Sequence, residues 1–188
     1  MTQAEILKIF QETGALLSGH FKLSSGLHSA QYMQCALVLQ HPEYAEMLCG
    51  ELAAKFKDDK ITVVVGPALG GVVVSYEVGR ALGARSIFTE REEGKMTLRR
   101  GFGIDKEDRV LIAEDVITTG GSTKEVIEVV KQSGACIVGI GALIDRSAEV
   151  QFNEKFASLL KIDIQSYKPE ECQLCKNGAA LVKPGSRR

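Results

Sequence analysis

Apolar residues fall along this chain in two patterns. Short unbroken runs rich in β-branched residues recur at residues 61–65, 86–89, 109–113, 136–144 and 160–164. Such runs, bounded by glycine or polar clusters, read as strands buried on both faces of a parallel sheet. Between them lie stretches with helical spacing. Residues 2–12 place Ile6, Leu7, Ile9 and Phe10 together, behind a Thr2/Glu5 capping-box pattern, and Gly14 ends the run. Residues 42–57 carry a stripe of Ala45, Leu48, Cys49, Leu52, Ala53 and Phe56 behind Pro42, a residue suited to a first turn. Residues 72–82 and 124–131 are two further helices, and 152–167 reads as a short helix before the last strand. Residues 15–39 mix aromatics, serines and glycines, and alternation around Phe21, Leu23 and Tyr32 predicts short antiparallel strands. Four or five strands alternating with helices predict an α/β domain, its sheet mostly parallel and flanked by helices on right-handed crossovers.

The polar positions cluster where these runs end. Residues 109–123 begin as an apolar strand, reach the acidic pair Glu114-Asp115, and continue as Thr118-Thr119-Gly120-Gly121-Ser122-Thr123 into a helix. Ligands of open α/β sheets sit beyond the carboxyl ends of the strands. Glycines there allow close approach, and the backbone N–H groups and helix dipole attract a phosphate. Ser122 or Thr123 is expected to cap the helix. Two carboxylates would repel a bare phosphate, so a phosphate carried on a sugar, whose hydroxyls need acceptors, fits better, with Mg²⁺ nearby. No G-x-x-x-x-G-K-[ST] occurs, which excludes a P-loop. The plain alternative is a capped strand–turn–helix that binds nothing.

Three further stretches carry potential chemistry. Gly66-Pro67-Ala68-Leu69-Gly70-Gly71 is a second glycine loop at the same sheet edge, or else a turn chosen for tight packing. Residues 90–103 hold four basic and three acidic side chains between glycines, and read as a long connection with hinge-like ends or a solvated face. Arg146 follows the strand at 136–144, where a guanidinium could fork onto a carboxylate or simply pair with Asp145.

At 188 residues the chain suffices for one core but not comfortably two. Its formal charge of −1 argues against bulk attraction to nucleic acid or an anionic membrane. The longest apolar stretch, 61–74, is broken by Gly66, Pro67, Gly70 and Gly71, and no signal pattern opens the chain, so a soluble cytoplasmic protein is expected. Five cysteines, an odd number, suggest reduced thiols. Cys172 and Cys175 have metal-ligand spacing, but there is no second C-x-x-C. His20, His28, Cys35 or Cys49 could complete a site only if folding brought them in, so buried or merely reduced thiols are the expectation.

Residues 110–123 resemble the phosphoribosyl-pyrophosphate (PRPP) signature of type I phosphoribosyltransferases: apolar run, acidic pair, then T-T-G-G-S. Over essentially its whole length the chain is similar to the short bacterial and archaeal orotate phosphoribosyltransferases. The resemblance implies a type I phosphoribosyltransferase fold in a single domain, 1–188, with the core at about 42–150 and a small hood from about 1–40 and 151–188. It implies transfer of phosphoribose from PRPP to orotate, with Mg²⁺ as cofactor and no metal ligand assigned to a side chain. PRPP is expected on Glu114, Asp115, Val116, Ile117, Thr118, Thr119, Gly120, Gly121 and Ser122. Orotate is expected on Thr118, Arg146, Tyr32 and Met33. The family's mobile loop corresponds to 90–103, with Arg91 and Lys95 as catalytic cations, and it often closes on the neighbouring subunit's site, implying a homodimer. Where several members carry an aromatic residue and a lysine, this chain has Leu69 and Gly70, leaving backbone N–H groups to face pyrophosphate. The alternatives are transfer to another base, such as a purine, or a PRPP-sensing regulator that binds nucleic acid.

Overall fold

The buried runs need partners on both edges and cover on both faces, and the chain supplies these from elements far apart in sequence. The computed structural model describes residues 1–23, 25–147 and 150–184. In chain order the elements are α1 (Gln3–Glu12), β1 (Leu16–Lys22), β2 (His28–Met33), α2 (Ala36–Leu39), α3 (Pro42–Ala54), β3 (Val63–Pro67), α4 (Gly70–Leu82) and β4 (Arg85–Glu92). Then follow β5 (Lys95–Leu98), β6 (Arg109–Ile117), α5 (Gly121–Ser133), β7 (Cys136–Asp145), β8 (Lys155–Lys161), β9 (Ser166–Tyr167) and α6 (Gln173–Lys176). A six-stranded sheet runs β5-β4-β3-β6-β7-β8, and a three-stranded one runs β1-β2-β9. In the large sheet only the β4–β5 pair is antiparallel.

Alternation along the central strands divides the core in two. Val64, Leu111 and Ala113 face a cluster built with α1, α3 and α4, including Phe10, Leu48, Leu52, Phe56, Val74 and Val78. Val63, Val65, Val110 and Ile112 face the other side, against Val126, Ile127 and Val130 of α5. Burying each of these side chains contributes about 1.5–3 kcal/mol, so the centre of the sheet is the rigid part of the molecule. The Thr2/Glu5 capping box forms as its spacing predicts.

Two expectations change. Residues 152–167 form no helix: β8 starts at Lys155 and pairs with β7 from Gly139↔Lys155 to Asp145↔Lys161. The backbone groups along β7's edge need partners, and that requirement outweighs a weak local helical period. As a result, part of the segment assigned to the hood completes the central sheet. Helix α1, likewise assigned to the hood, sends Ile6, Ile9 and Phe10 into the main core. Second, the long connection at 90–103 is largely a hairpin, turning at Glu93 and Gly94, whose φ of 50° and 82° suit a tight two-residue turn. The C-terminal tail is anchored to the hairpin: β9 pairs with β2, and Val182 bridges to Phe21. No helix among the described residues is long and apolar enough to cross a membrane.

Phe56 shows how closely α3 and the sheet fit. A Cβ on Gly139 would lie 2.7 Å from its ring, and one on Gly141 3.3 Å from it. Phe56→Ala is expected to cost about 3–5 kcal/mol, read as a lowered urea midpoint with an unchanged slope.

Candidate active site

The strand order reverses between β3 and β6, so the connections leaving their carboxyl ends diverge and open a crevice. Both glycine loops lie there. A Cβ on Gly70 would sit 2.4 Å from an Asp115 carboxylate oxygen, and one on Gly71 2.8 Å from Glu114 Oε2. One on Gly66 would meet the Gly71 carbonyl oxygen at 2.1 Å. Absent side chains therefore let the β3 loop press directly against the acidic pair.

That contact removes water from the carboxylates. Burial, then the neighbouring Asp115 charge, holds the Glu114 carboxyl well above its ordinary value. Burial also raises Asp115, although the Val116 N–H donates to its Oδ1 at 2.8 Å. Glu114 Oε2 is buried with no hydrogen-bond partner among the described residues. Behind the pair, the Cys35 thiol approaches the Asp115 carbonyl at 3.9 Å.

The turn after β6 is a nest. Gly120 takes φ 70°, and a Cβ there would also come within 3.0 Å of Val150. Gly120 itself is the residue before α5, and no side chain caps the helix, contrary to the expectation for Ser122 or Thr123; the Thr123 side chain is buried. Among the described residues no acceptor is found for the backbone N–H groups of 119–123. Thr118, Thr119 and Gly121 are exposed, and Ser122 is partly so. The start of this thirteen-residue helix thus leaves N–H groups open to an anion. Val116 and Ile117 turn their side chains into the two core clusters, so they can offer a ligand only backbone atoms.

Arg146 is pinned beside this turn by its N–H, which donates to the Ile117 carbonyl at 2.8 Å. Its Nε is buried without a partner, and burial draws its pKa below the ordinary guanidinium value. Asp145 does not pair with it: that carboxylate accepts from the Ser147 N–H and hydroxyl at 2.8 and 2.6 Å. Tyr32 lies close enough for the Arg146 charge to counter part of the rise that burial imposes on its phenol. Met33, the neighbouring residue on β2, points to the opposite face and is buried in the core. The structure therefore brings Tyr32 towards Arg146 and turns Met33 into the core.

The expected loop cations are separated. Arg91 pairs with Glu125 of α5, its Nη2 donating to Oε1 at 2.9 Å, and its Nη1 donates to the Gly94 carbonyl at 3.0 Å. Lys95 is exposed at the tip of the β4–β5 hairpin and joins no ion pair found among the described residues. Sequence reading had no means of finding Glu125 or Cys35. Each meets its partner across a long stretch of chain, with no local pattern to mark the contact.

Known proteins share this sequence pattern and fold. Residues 38–173 match the family described as "Phosphoribosyl transferase domain". Orotate phosphoribosyltransferase of Pelotomaculum thermopropionicum is 59% identical over 189 aligned positions, covering 100% of both chains. The crystal structure of orotate phosphoribosyltransferase from Aeropyrum pernix superposes with a TM-score of 0.62 at 25% identity, covering 95% of this chain and 91% of that one. Adenine phosphoribosyltransferase from Rhodothermus marinus superposes with a TM-score of 0.65 at 23% identity, covering 85% and 99%. The fold alone therefore does not select the base.

The buried acidic pair sets a pH dependence. A carboxyl whose pKa is raised by folding binds its proton more tightly when folded, so stability falls as pH rises from the ordinary carboxylate value to the raised one. Glu114→Gln removes that penalty. The ligand-free variant is expected to gain about 2–4 °C in melting temperature per kcal/mol relieved at pH 8, and much less at pH 4. Melting curves that shift equally at both pH values would contradict this.

Proposed function

The chain belongs to the phosphoribosyl transferase family, and from that premise we propose that it transfers the 5-phosphoribosyl group of PRPP to orotate, giving orotidine 5′-monophosphate and pyrophosphate, a step of pyrimidine synthesis. One observation carries the choice of base: a half-buried Arg146, its Nε unpartnered, beside the phosphate nest. A buried cation without a counter-charge is costly, and a ligand carboxylate relieves that cost through a bidentate fork. A purine offers no such group. The nucleic-acid-binding regulator finds no support in a chain of formal charge −1.

The chemistry needs no covalent nucleophile. The bond from the ribose C1 to the pyrophosphate oxygen breaks, its electron pair leaves with pyrophosphate, and a base nitrogen bonds to C1 and sheds its proton. The amides and hydroxyls of 118–122 hold the 5′-phosphate, while Glu114 and Asp115 accept from the ribose hydroxyls and favour positive charge developing at C1. The backbone at Gly70 and Gly71 faces the pyrophosphate. Lys95 is the cation best placed to reach it, since Arg91 must first leave Glu125. An Mg²⁺ ion fits the hard oxygen donors of this pair, one of which is buried and unpartnered. When bound it supplies neutralisation of pyrophosphate charge; Glu114 and Asp115 would hold it through the ribose hydroxyls. The free thiols of the chain are consistent with the cytoplasm.

A second copy of the chain is the partner. Leu69, just before α4, and Val73 and Tyr76 on it are 83%, 40% and 63% exposed and follow one helical stripe beside the site. Sedimentation should give twice the chain mass, with Tyr76→Glu shifting it towards the monomer; an unchanged mass for the variant would rule out this face.

The decisive assay follows orotate consumption with PRPP and Mg²⁺, using adenine and uracil as controls. Arg146→Ala should lower kcat/KM for orotate by roughly 10²- to 10³-fold while leaving the dissociation constant for PRPP unchanged. Equal loss of both would remove Arg146 from the base site.

A further inference from the structure

The structure gathers four side chains that the transferase chemistry does not use. His20 of β1, His28 of β2, and Cys172 and Cys175 of the C-terminal segment converge, with one ligand atom from each lying within 4.8 Å of all the others. Folding thus supplies the two partners that the C-x-x-C lacks in the sequence. His20, His28 and Cys172 are buried, and Cys175 closes the group from the solvent side. An irregularity in the β1–β2 ladder between Ser18 and Phe21 re-aims the strand and helps bring both imidazoles to one face.

The distances have the size of a coordination shell. His20 Nε2 lies 3.5 Å from Cys172 Sγ, 3.6 Å from Cys175 Sγ and 3.0 Å from His28 Nδ1. His28 Nδ1 is 3.1 Å from Cys175 Sγ. A tetrahedral zinc with Zn–S of about 2.3 Å and Zn–N of about 2.0–2.1 Å sets its nitrogen and sulfur ligands about 3.5 Å apart. The tautomer agrees. His20 Nδ1 is 2.9 Å from the Ala179 carbonyl, which can only accept, so Nδ1 carries the proton and Nε2 directs a lone pair at the centre. A backbone carbonyl orienting the far nitrogen in this way is the usual support of a metal-bound histidine.

The tail has little else to hold it. Across residues 165–184 Cys172 alone is buried. The segment contacts the hairpin through a two-residue pairing at His28 and Ser29, a Ser29 hydroxyl bond to the Gln165 carbonyl, and the Val182 bridge. So little apolar burial does not offset the entropy of ordering that length of chain, which is the situation in which small structures take a metal staple.

We propose that His20, His28, Cys172 and Cys175 bind one zinc ion in a closed tetrahedral site that fastens the C-terminal segment onto the β1–β2 hairpin. All four positions are filled by protein, so the role is structural and no water is activated. The thiols lose their protons as the ion enters, and its binding energy becomes folding energy of the tail.

The full chain, purified under reducing conditions without chelator, should contain about one zinc per chain by elemental analysis. Cys172→Ser and Cys175→Ser should lower that content at least tenfold, whereas Cys136→Ser, at the exposed start of β7, should keep it. Cobalt substituted for zinc in the wild type should give tetrahedral ligand-field bands and a thiolate charge-transfer band, a readout that holds even if a variant fails to fold. Metal-free wild type with reduced thiols and no cobalt spectrum would overturn the proposal. So would a Cys172–Cys175 disulfide in freshly purified protein, or a Cys136→Ser loss equal to the others.

Discussion

A carboxyl and a guanidinium stand at one end of a buried sheet without pairing with each other. Glu114 and Arg146 sit on neighbouring strand ends, both partly desolvated, and each has a buried atom with no partner among the described residues. Such an arrangement is unfavourable in isolation and persists only if the surroundings are too stiff to let the groups relax. The stiffness comes from β3, β6 and β7, whose apolar side chains are buried on both faces. The glycines of the β3 loop add the last constraint by removing the space that water would occupy.

How much of this was legible in the sequence depends on the range of the interaction. Strand–loop–helix order, the acidic pair, the stripe of α3 and the Thr2 cap are short-range patterns, and they appear as read. Expectations tied to long-range pairing fared worse. Whether 155–161 is helix or strand is decided by the needs of β7's edge, which lies outside that window. The resemblance gives Arg91 as a loop cation, and nothing nearby in the chain marks Glu125 as its partner. The resemblance assigns both Tyr32 and Met33 to orotate, whereas β2 sends these adjacent side chains to opposite faces and buries Met33 in the core.

The C-terminal segment follows the same rule. Its composition reads as a loop, and by burial it nearly is one. Its order comes from a few bonds to a hairpin more than a hundred positions earlier in the chain. The spacing of Cys172 and Cys175 was visible, but their histidine neighbours were not, because a strand pairing and its irregularity bring them there.

That hairpin has an exacting tolerance. Moving β2 by one position against its neighbours would exchange the faces of every side chain on it: Tyr32 would enter the core, Met33 would face Arg146, and His28 would leave His20. A single-residue insertion or deletion within this strand would therefore disturb the approach of Tyr32 to Arg146 and the tail's attachment in one event. Chain length here is constrained more tightly than the identity of most individual residues along the strand.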